Sequence, residues 1–199
     1  MKVLRAFLDF LFPPRDTQAL VADATHETLG ALARVSVIAP NAVSLLPYRT
    51  HLVRAMILEA KFRDNEHAQR LLAKVLADYL QDDASLDSLV LVPVPLSDTR
   101  LKERGYNQCE RIARLMKAGI EIDTGLLVRT RDTLPQTSLK RTARRENLQG
   151  AFMLARAPDP SYTYIVFDDV YTTGATLMSA MNVFKEAGIS RVSGLSLAH

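Results

Sequence analysis

Residues 164–176 change within thirteen positions from a buried-strand pattern to a glycine turn and then to a helix. Four apolar residues are followed by two carboxylates, and a turn then leads into a helix with one apolar face. Backbone N–H groups at a helix N-terminus are unpaired and carry a partial positive charge, so they favour a phosphate. Glycine lets the backbone approach closely, and hydroxyls add uncharged donors. The predicted phosphate-binding residues are Thr172, Thr173, Gly174, Ala175 and Thr176.

Two adjacent acids, Asp168 and Asp169, stand between this strand and the turn. Their charges would repel a phosphate, so we expect the two acids to bind a different group. Carboxylates accept hydrogen bonds from the paired hydroxyls of a sugar, or hold a hydrated Mg²⁺. A site for sugar hydroxyls beside a phosphate-binding turn is suited to a ribose 5-phosphate. An Asp-Asp dipeptide alone is also typical of a solvated strand end or a helix cap, and only the full thirteen-residue order favours the ligand site.

Short apolar runs alternate with helical patterns along the rest of the chain. This alternation predicts an α/β fold with a mostly parallel sheet flanked by helices, and a small N-terminal helical appendage. In such sheets ligands bind at the carboxyl ends of the strands. The predicted strands are residues 43–46, 89–92, 126–129, 164–167 and 192–197, and the predicted helices are 52–62, 68–80, 106–117 and 175–187, with a short amphipathic helix within 1–12 and a basic helix within 140–149.

The positive charge of the chain is concentrated in two segments, although the net charge is only +3. Residues 100–114 carry five basic side chains against two acidic ones, and residues 129–145 carry six against one. Such clusters are suited to an anionic ligand. The leading candidates are Arg104, which precedes a glycine at a predicted helix start, and Lys140, Arg141 and Arg144. Solvated basic turns, or a surface facing nucleic acid, remain alternatives for both segments.

The cysteine count and the hydropathy exclude several classes of protein. The only cysteine, Cys109, cannot form an internal disulfide, an iron–sulfur cluster or a Cys-x-x-Cys zinc site. We therefore predict no metal cluster built by the protein alone, and a packing role for Cys109. No apolar run approaches the roughly 20 residues of a membrane-spanning helix, so we predict no membrane span and a cytoplasmic location.

The chain resembles a known family through an ordered set of motifs. Residues 164–176 resemble the phosphoribosyl-pyrophosphate (PRPP) motif of type I phosphoribosyltransferases. The set resembles the ComF (competence protein F) family, a branch near the glutamine amidophosphoribosyltransferases, and covers residues 43–198. Upstream of the PRPP motif, in order, stand Val92-Pro93-Val94-Pro95-Leu96, Glu103-Arg104-Gly105-Tyr106-Asn107-Gln108, Gln136, Arg144, Asn147 and Phe152.

The resemblance implies a transferase that binds PRPP with Mg²⁺ and passes its phosphoribosyl group to a nitrogen nucleophile, which is a pentosyl glycosyltransferase reaction. It implies that Asp168 and Asp169, also possible Mg²⁺ contacts, bind the ribose hydroxyls, and that residues 172–176 wrap the 5-phosphate. It places pyrophosphate on a loop over residues 95–104, and a closing hood over 130–145. Two alternatives stay open: a non-catalytic PRPP-responsive protein, and a protein of natural competence that handles single-stranded DNA.

One departure from the ComF pattern concerns the N-terminus. These proteins usually carry a four-cysteine zinc element after a Leu-Phe-Pro-Pro stretch. Here Leu11-Phe12-Pro13-Pro14 is present, but no cysteine follows before Cys109. We therefore predict that residues 1–42 form a helical appendage without zinc, and that residues 43–199 form the phosphoribosyltransferase-like domain.

Overall fold

The computed structural model describes residues 14–81, 88–116, 119–130 and 150–199. Its helices are α1 (Pro14–Ala22), α2 (His26–Leu32), α3 (His51–Phe62), α4 (Glu66–Gln81), α5 (Asp98–Arg104), α6 (Gln108–Leu115) and α7 (Ala175–Glu186). Its strands are β1 (Ser36–Ala39), β2 (Ala42–Leu46), β3 (Leu89–Pro93), β4 (Glu121–Ile122), β5 (Leu127–Arg129), β6 (Phe152–Leu154), β7 (Thr163–Val170) and β8 (Val192–Ala198).

Six of these strands form one sheet in the order β1-β2-β8-β7-β3-β4. Only the β1–β2 pair is antiparallel, and every other neighbouring pair in the sheet is parallel. Strands β5 and β6 form a separate antiparallel pair. The predicted fold class, a mostly parallel sheet flanked by helices, is confirmed.

The apolar strands are buried on both faces because helices cover the sheet from two sides. Along β3, Leu89 and Leu91 pack into the core that contains the buried residues of α3, α4 and α6, whereas Val90 and Val92 pack into the core under α7. This alternation follows from the two-residue period of a strand. It also determines which helices the residues at the end of a strand meet.

The N-terminal helices pack on the main body of the fold. Val21 and Leu29 are buried in the same core as the residues of α3 and α4. Strand β1, which no sequence pattern predicted, adds to the edge of the large sheet. The boundary predicted between residues 42 and 43 stays a prediction, and the helix predicted within 1–12 lies outside the described residues. In the described ranges, no helix has the length and apolar character needed to cross a membrane.

The helix predicted over residues 106–117 is α6, which begins at Gln108, and a sharp turn separates it from the preceding helix α5. Gly105, with a φ of +81°, ends α5, and the Asn107 side chain caps α6 by accepting a hydrogen bond from Cys109 N at 3.0 Å. The residue that adopts a left-handed conformation at the end of a helix is usually glycine. Arg104 therefore lies at the end of one helix and not at the start of the next.

Candidate functional site

The fold creates a crevice between the carboxyl ends of β3 and β7. After β3 the chain crosses to β4 on one side, whereas after β7 it crosses to β8 on the other. The two strands are neighbours, and Val94 N donates to Phe167 O at 2.8 Å just beyond β3. In open α/β sheets, ligands bind where the direction of the crossovers reverses.

A cleft of about 180 Å³ occupies this position. Its lining brings together both predicted acids, two of the predicted phosphate-binding residues and four basic side chains from three elements. They are Asp168, Asp169, Thr172, Thr176, Lys61, Arg100, Arg104 and Arg129. Groups that lie far apart in the sequence thus meet at one strand end, and positive charges outnumber negative charges there.

Asp169 is buried and fully engaged by the helices of one face. It is 4% exposed, and it follows Phe167 by two residues on the side of the sheet that α3 and α6 cover. One oxygen, Oδ1, lies 2.7 Å from the Lys61 ammonium, and the other, Oδ2, accepts a hydrogen bond from Gln108 Nε2 at 2.6 Å. Burial alone would raise the pKa of Asp169, but the charge and hydrogen bond of Lys61 hold that pKa below its usual value.

Asp168 has a different environment. Its Oδ1 accepts a hydrogen bond from Asp169 N at 2.9 Å and lies 3.9 Å from Cys109 Sγ. Its other oxygen, Oδ2, has no hydrogen-bond partner among the residues that the structure describes. Burial raises the pKa of Asp168 to about 6, and the neighbouring Asp169 charge acts in the same direction. A carboxyl group in a cleft with a strongly shifted pKa is typical of a functional site.

Replacing Asp168 by Asn is expected to stabilise the free protein at about pH 7.5. A carboxyl whose pKa is raised on folding destabilises the fold as it ionises, here as the pH rises from about 4 to about 6. D168N lacks that ionisation, so its free energy of unfolding should exceed the wild-type value by about 1–3 kcal/mol at this pH and should match it below about pH 4. Urea unfolding at both pH values measures the gap. A variant no more stable than the wild type at about pH 7.5 would show that Asp168 ionises without penalty.

The predicted phosphate-binding residues form the turn that joins β7 to α7. Gly174 has a φ of +75° and precedes the first residue of α7, and a Cβ there would lie 2.2 Å from Tyr171 Oη. Thr172 and Thr176 line the cleft with the acids. Thr173, Gly174 and Ala175 line a second, larger cavity of about 610 Å³ beside α7. The structure therefore brings two of the five predicted residues to the side chains of the acids.

Arg104 lines the cleft, although its local structure differs from the sequence-based expectation. The predicted pyrophosphate loop over residues 95–104 is largely helical, because Asp98–Arg104 forms α5. Arg104 lies over the Phe62 ring, 4.8 Å from its centroid, and its NH1 donates to Gln108 Oε1 at 2.8 Å. Burial lowers the pKa of Arg104 from its usual value, and the charge of Asp169 opposes this. The other basic candidates, Lys140, Arg141 and Arg144, lie outside the described residues.

Two residues that contact Asp169 were not predicted as part of the site. Lys61 lies near the end of α3, in a stretch over residues 55–62 that is apolar except for Glu59 and Lys61, and Gln108 is the first residue of α6. A lysine inside an apolar helix pattern is a signal that could have indicated a buried partner, because lysine is almost never fully buried unless it is paired. The identity of that partner depends on the packing of α3 against β7, which no local pattern specifies.

Together, the sheet and the cleft define a mostly parallel α/β protein with its candidate site at the reversal of the crossovers. No protein-family model matches the chain. The chain is 30% identical over 151 residues to competence protein F of Haemophilus influenzae, an alignment that covers 72% of this chain and 66% of that protein. It is 32% identical to competence protein ComFC of Streptococcus pneumoniae, over 64% of this chain and 56% of the relative. The chain belongs to the ComF family, as its motifs predicted.

The chain spans 66% of the Haemophilus protein's length and 56% of the Streptococcus protein's length. Solved structures of two adenine phosphoribosyltransferases also align with 83% of this chain. The Trypanosoma brucei enzyme, in complex with AMP, pyrophosphate and ribose-5-phosphate, aligns at a TM-score of 0.47 and 12% identity, over 86% of its chain. The Leishmania tarentolae enzyme aligns at a TM-score of 0.42 and 13% identity, over 94% of its chain.

Proposed function

We propose that the cleft at the ends of β3 and β7 binds PRPP with Mg²⁺, and that the protein transfers the phosphoribosyl group to a nitrogen nucleophile. The observation that carries the proposal is the composition of this one cleft. It combines a carboxylate oxygen that no described residue contacts by a hydrogen bond, a hydroxyl-bearing turn that leads into α7, and an excess of cations. PRPP has the matching groups, which are ribose hydroxyls, a 5-phosphate and a pyrophosphate.

The positions of the residues support an assignment of three subsites. The end of β7 that carries Asp168 serves the ribose hydroxyls, in line with the family resemblance. The turn from Thr172 to Thr176 serves the 5-phosphate, since its backbone lies at the N-terminus of the twelve-residue helix α7. Arg100 and Arg104 project from α5, which follows β3, and they serve the pyrophosphate.

The residues present fit a Mg²⁺ ion that arrives with PRPP. Mg²⁺ prefers oxygen ligands and is usually bound through one or two carboxylates together with substrate phosphates. Asp168 Oδ2 offers such an oxygen in the cleft. The neighbouring Cys109 thiol does not compete for the ion, because burial raises its pKa well above the usual value and keeps it protonated. When bound, Mg²⁺ would offset negative charge on the leaving pyrophosphate.

In the proposed reaction the nitrogen lone pair forms a bond to ribose C1 while the bond from C1 to the pyrophosphate oxygen breaks with its electron pair. Charge accumulates on the departing pyrophosphate, and the fixed guanidinium groups of Arg100 and Arg104 stabilise it. Asp168 accepts hydrogen bonds from the ribose and holds C1 in place relative to the incoming nitrogen. The nitrogen afterwards releases its proton to solvent.

A second candidate is supported by the relatives, which are named competence proteins. The same cations could bind the phosphates of single-stranded DNA, either without catalysis or with PRPP as a regulatory ligand. Incubation with Mg-PRPP and a panel of amines and nucleobases distinguishes these candidates. Pyrophosphate release that D168N abolishes supports the transferase. Binding of PRPP without release supports the responsive protein. Binding of an oligonucleotide alone, weakening as salt rises, supports the DNA-handling protein.

A further inference from the structure

We propose that Asp168 and Asp169 have different roles, and that Lys61 is a positioning residue whose charge neutralises Asp169. This inference rests on the proposed function of the same cleft. On this account Asp168 alone contacts the ribose, whereas Asp169 is held by Lys61 and Gln108 and touches no ligand. A pair of acids that the sequence presents as equivalent thereby becomes one ligand contact and one internal support.

The two carboxylates reach the same cleft, but different groups hold them. Successive residues of a strand point to opposite faces of the sheet, and both acids lie within Thr163–Val170. Asp169 follows the face of Phe167, toward the core of α3 and α6. Asp168 follows the face of Val166, although its Oδ1 still lies 3.9 Å from Cys109 Sγ of α6. Both oxygens of Asp169 are occupied at 2.6–2.7 Å, while Asp168 Oδ2 has no described partner.

Lys61 is held in place by the contacts of the neighbouring turn. Tyr106 Oη donates to Ala60 O at 2.7 Å and accepts from Asp64 N at 3.0 Å, so it ties the end of α3 to the segment before α6. Arg111 forms an ion pair with Asp64 and lies 4.2 Å from the centroid of the Tyr106 ring. These contacts flank Lys61 on both sides, and its side chain, 20% exposed, extends to Asp169.

The charge of Lys61 matters because the proposed ligand is a multiple anion. Two ionised carboxylates next to such a ligand would repel it, and Lys61 cancels one of them at a distance of 2.7 Å. Removing Lys61 leaves a buried carboxylate without its counterion beside the ligand. Removing Asp169 instead leaves a lysine that can reach water and adds a positive charge to the cleft. The two substitutions should therefore have unequal effects on affinity.

Calorimetric titration with Mg-PRPP tests this asymmetry in K61M, D169N, the double variant K61M/D169N and the control K74M, which changes an exposed lysine of α4. We expect K61M to weaken binding about tenfold, and D169N and K61M/D169N to bind within about threefold of the wild type. K74M should bind as the wild type does. Recovery of affinity on adding D169N to K61M is a result that loss of structure alone would not produce.

The inference is overturned if D169N loses as much affinity as D168N, or if D169N restores none of the affinity that K61M loses. If K61M folds poorly, D169N in the presence of Lys61 still decides the question. Thermal unfolding gives a readout that needs no PRPP, because K61M should lower the Tm and the added D169N should restore it. A wild-type protein that binds no Mg-PRPP would overturn the proposed function, and the Tm values would still show whether Lys61 neutralises Asp169.

Discussion

D168N is expected to bind Mg-PRPP at least about tenfold more weakly than the wild type at about pH 7.5, equivalent to roughly 1.4 kcal/mol. At this pH Asp168 is ionised, since its pKa is about 6. Hydrogen bonds from hydroxyls to a carboxylate are roughly twice as strong as those to a neutral amide oxygen. Asn keeps the size of the side chain and one of its two acceptor oxygens. The loss of affinity therefore reports mainly the contribution of the Asp168 charge. Isothermal titration calorimetry measures it directly.

The control for this variant is D98N, which removes an exposed acid from the first turn of the neighbouring helix α5. D98N changes the net charge of the protein by the same amount, so any general electrostatic effect appears in both variants. We expect D98N to bind as the wild type does. Because D168N should be more stable than the wild type, its weaker binding would not reflect unfolding. If D168N binds Mg-PRPP with an affinity within about twofold of the wild type, Asp168 does not contact the ligand.

E59M is expected to lower the free energy of unfolding by about 3–5 kcal/mol, because it breaks a buried ion pair. Glu59 is 1% exposed in the helix that carries Lys61, and its Oε1 accepts from Thr17 Oγ1 at 2.6 Å and forms the ion pair with Arg63. Asn65 Nδ2 donates to Oε2 at 3.3 Å. Methionine fills a similar volume but removes the buried carboxylate that Arg63, Thr17 and Asn65 contact.

The chain offers a matched control in E66M. Glu66 and Arg70 form an ion pair with the same spacing of four residues, but their side chains are 65% and 64% exposed. Exposed pairs contribute about 0–1 kcal/mol, so E66M should change stability by no more than that. Urea unfolding of both variants gives the comparison. Equal, small effects would show that burial of the Glu59–Arg63 pair contributes nothing to the fold.

The sequence predicted the elements that have a strong apolar pattern. Continuous apolar runs mark β3 and β7, which are buried on both faces, and the observed bounds extend the predictions by a few residues at most. Helix α5 was missed because none of its residues is buried, so it has no apolar stripe to detect. Its start is nevertheless marked locally, since Ser97 caps the helix by accepting from Arg100 N at 3.4 Å.

The candidate site was predicted only as far as adjacent residues determine it. The thirteen-residue motif identified the acids and the turn because strand, acids and helix start are contiguous. The pairing of Lys61 with Asp169 could not be predicted, since the two residues come from different elements and meet only when α3 packs on the sheet. Strand alternation does place Asp168 and Asp169 at positions of opposite face once β7 is known to continue to Val170, and this predicts different neighbours for the two acids. The predicted strand ended at residue 167, so this distinction was lost.

Calorimetric titration of the wild-type protein with PRPP, in buffer with Mg²⁺ and again with EDTA, tests the binding of Mg-PRPP in this cleft most directly. The ionised carboxylate of Asp168 would repel a ligand with several negative charges unless a cation lies between the carboxylate and the ligand. We therefore expect saturable binding with Mg²⁺ and at least about tenfold weaker binding with EDTA. Equal affinity in the two buffers, or no binding in either, would contradict the assignment of the cleft.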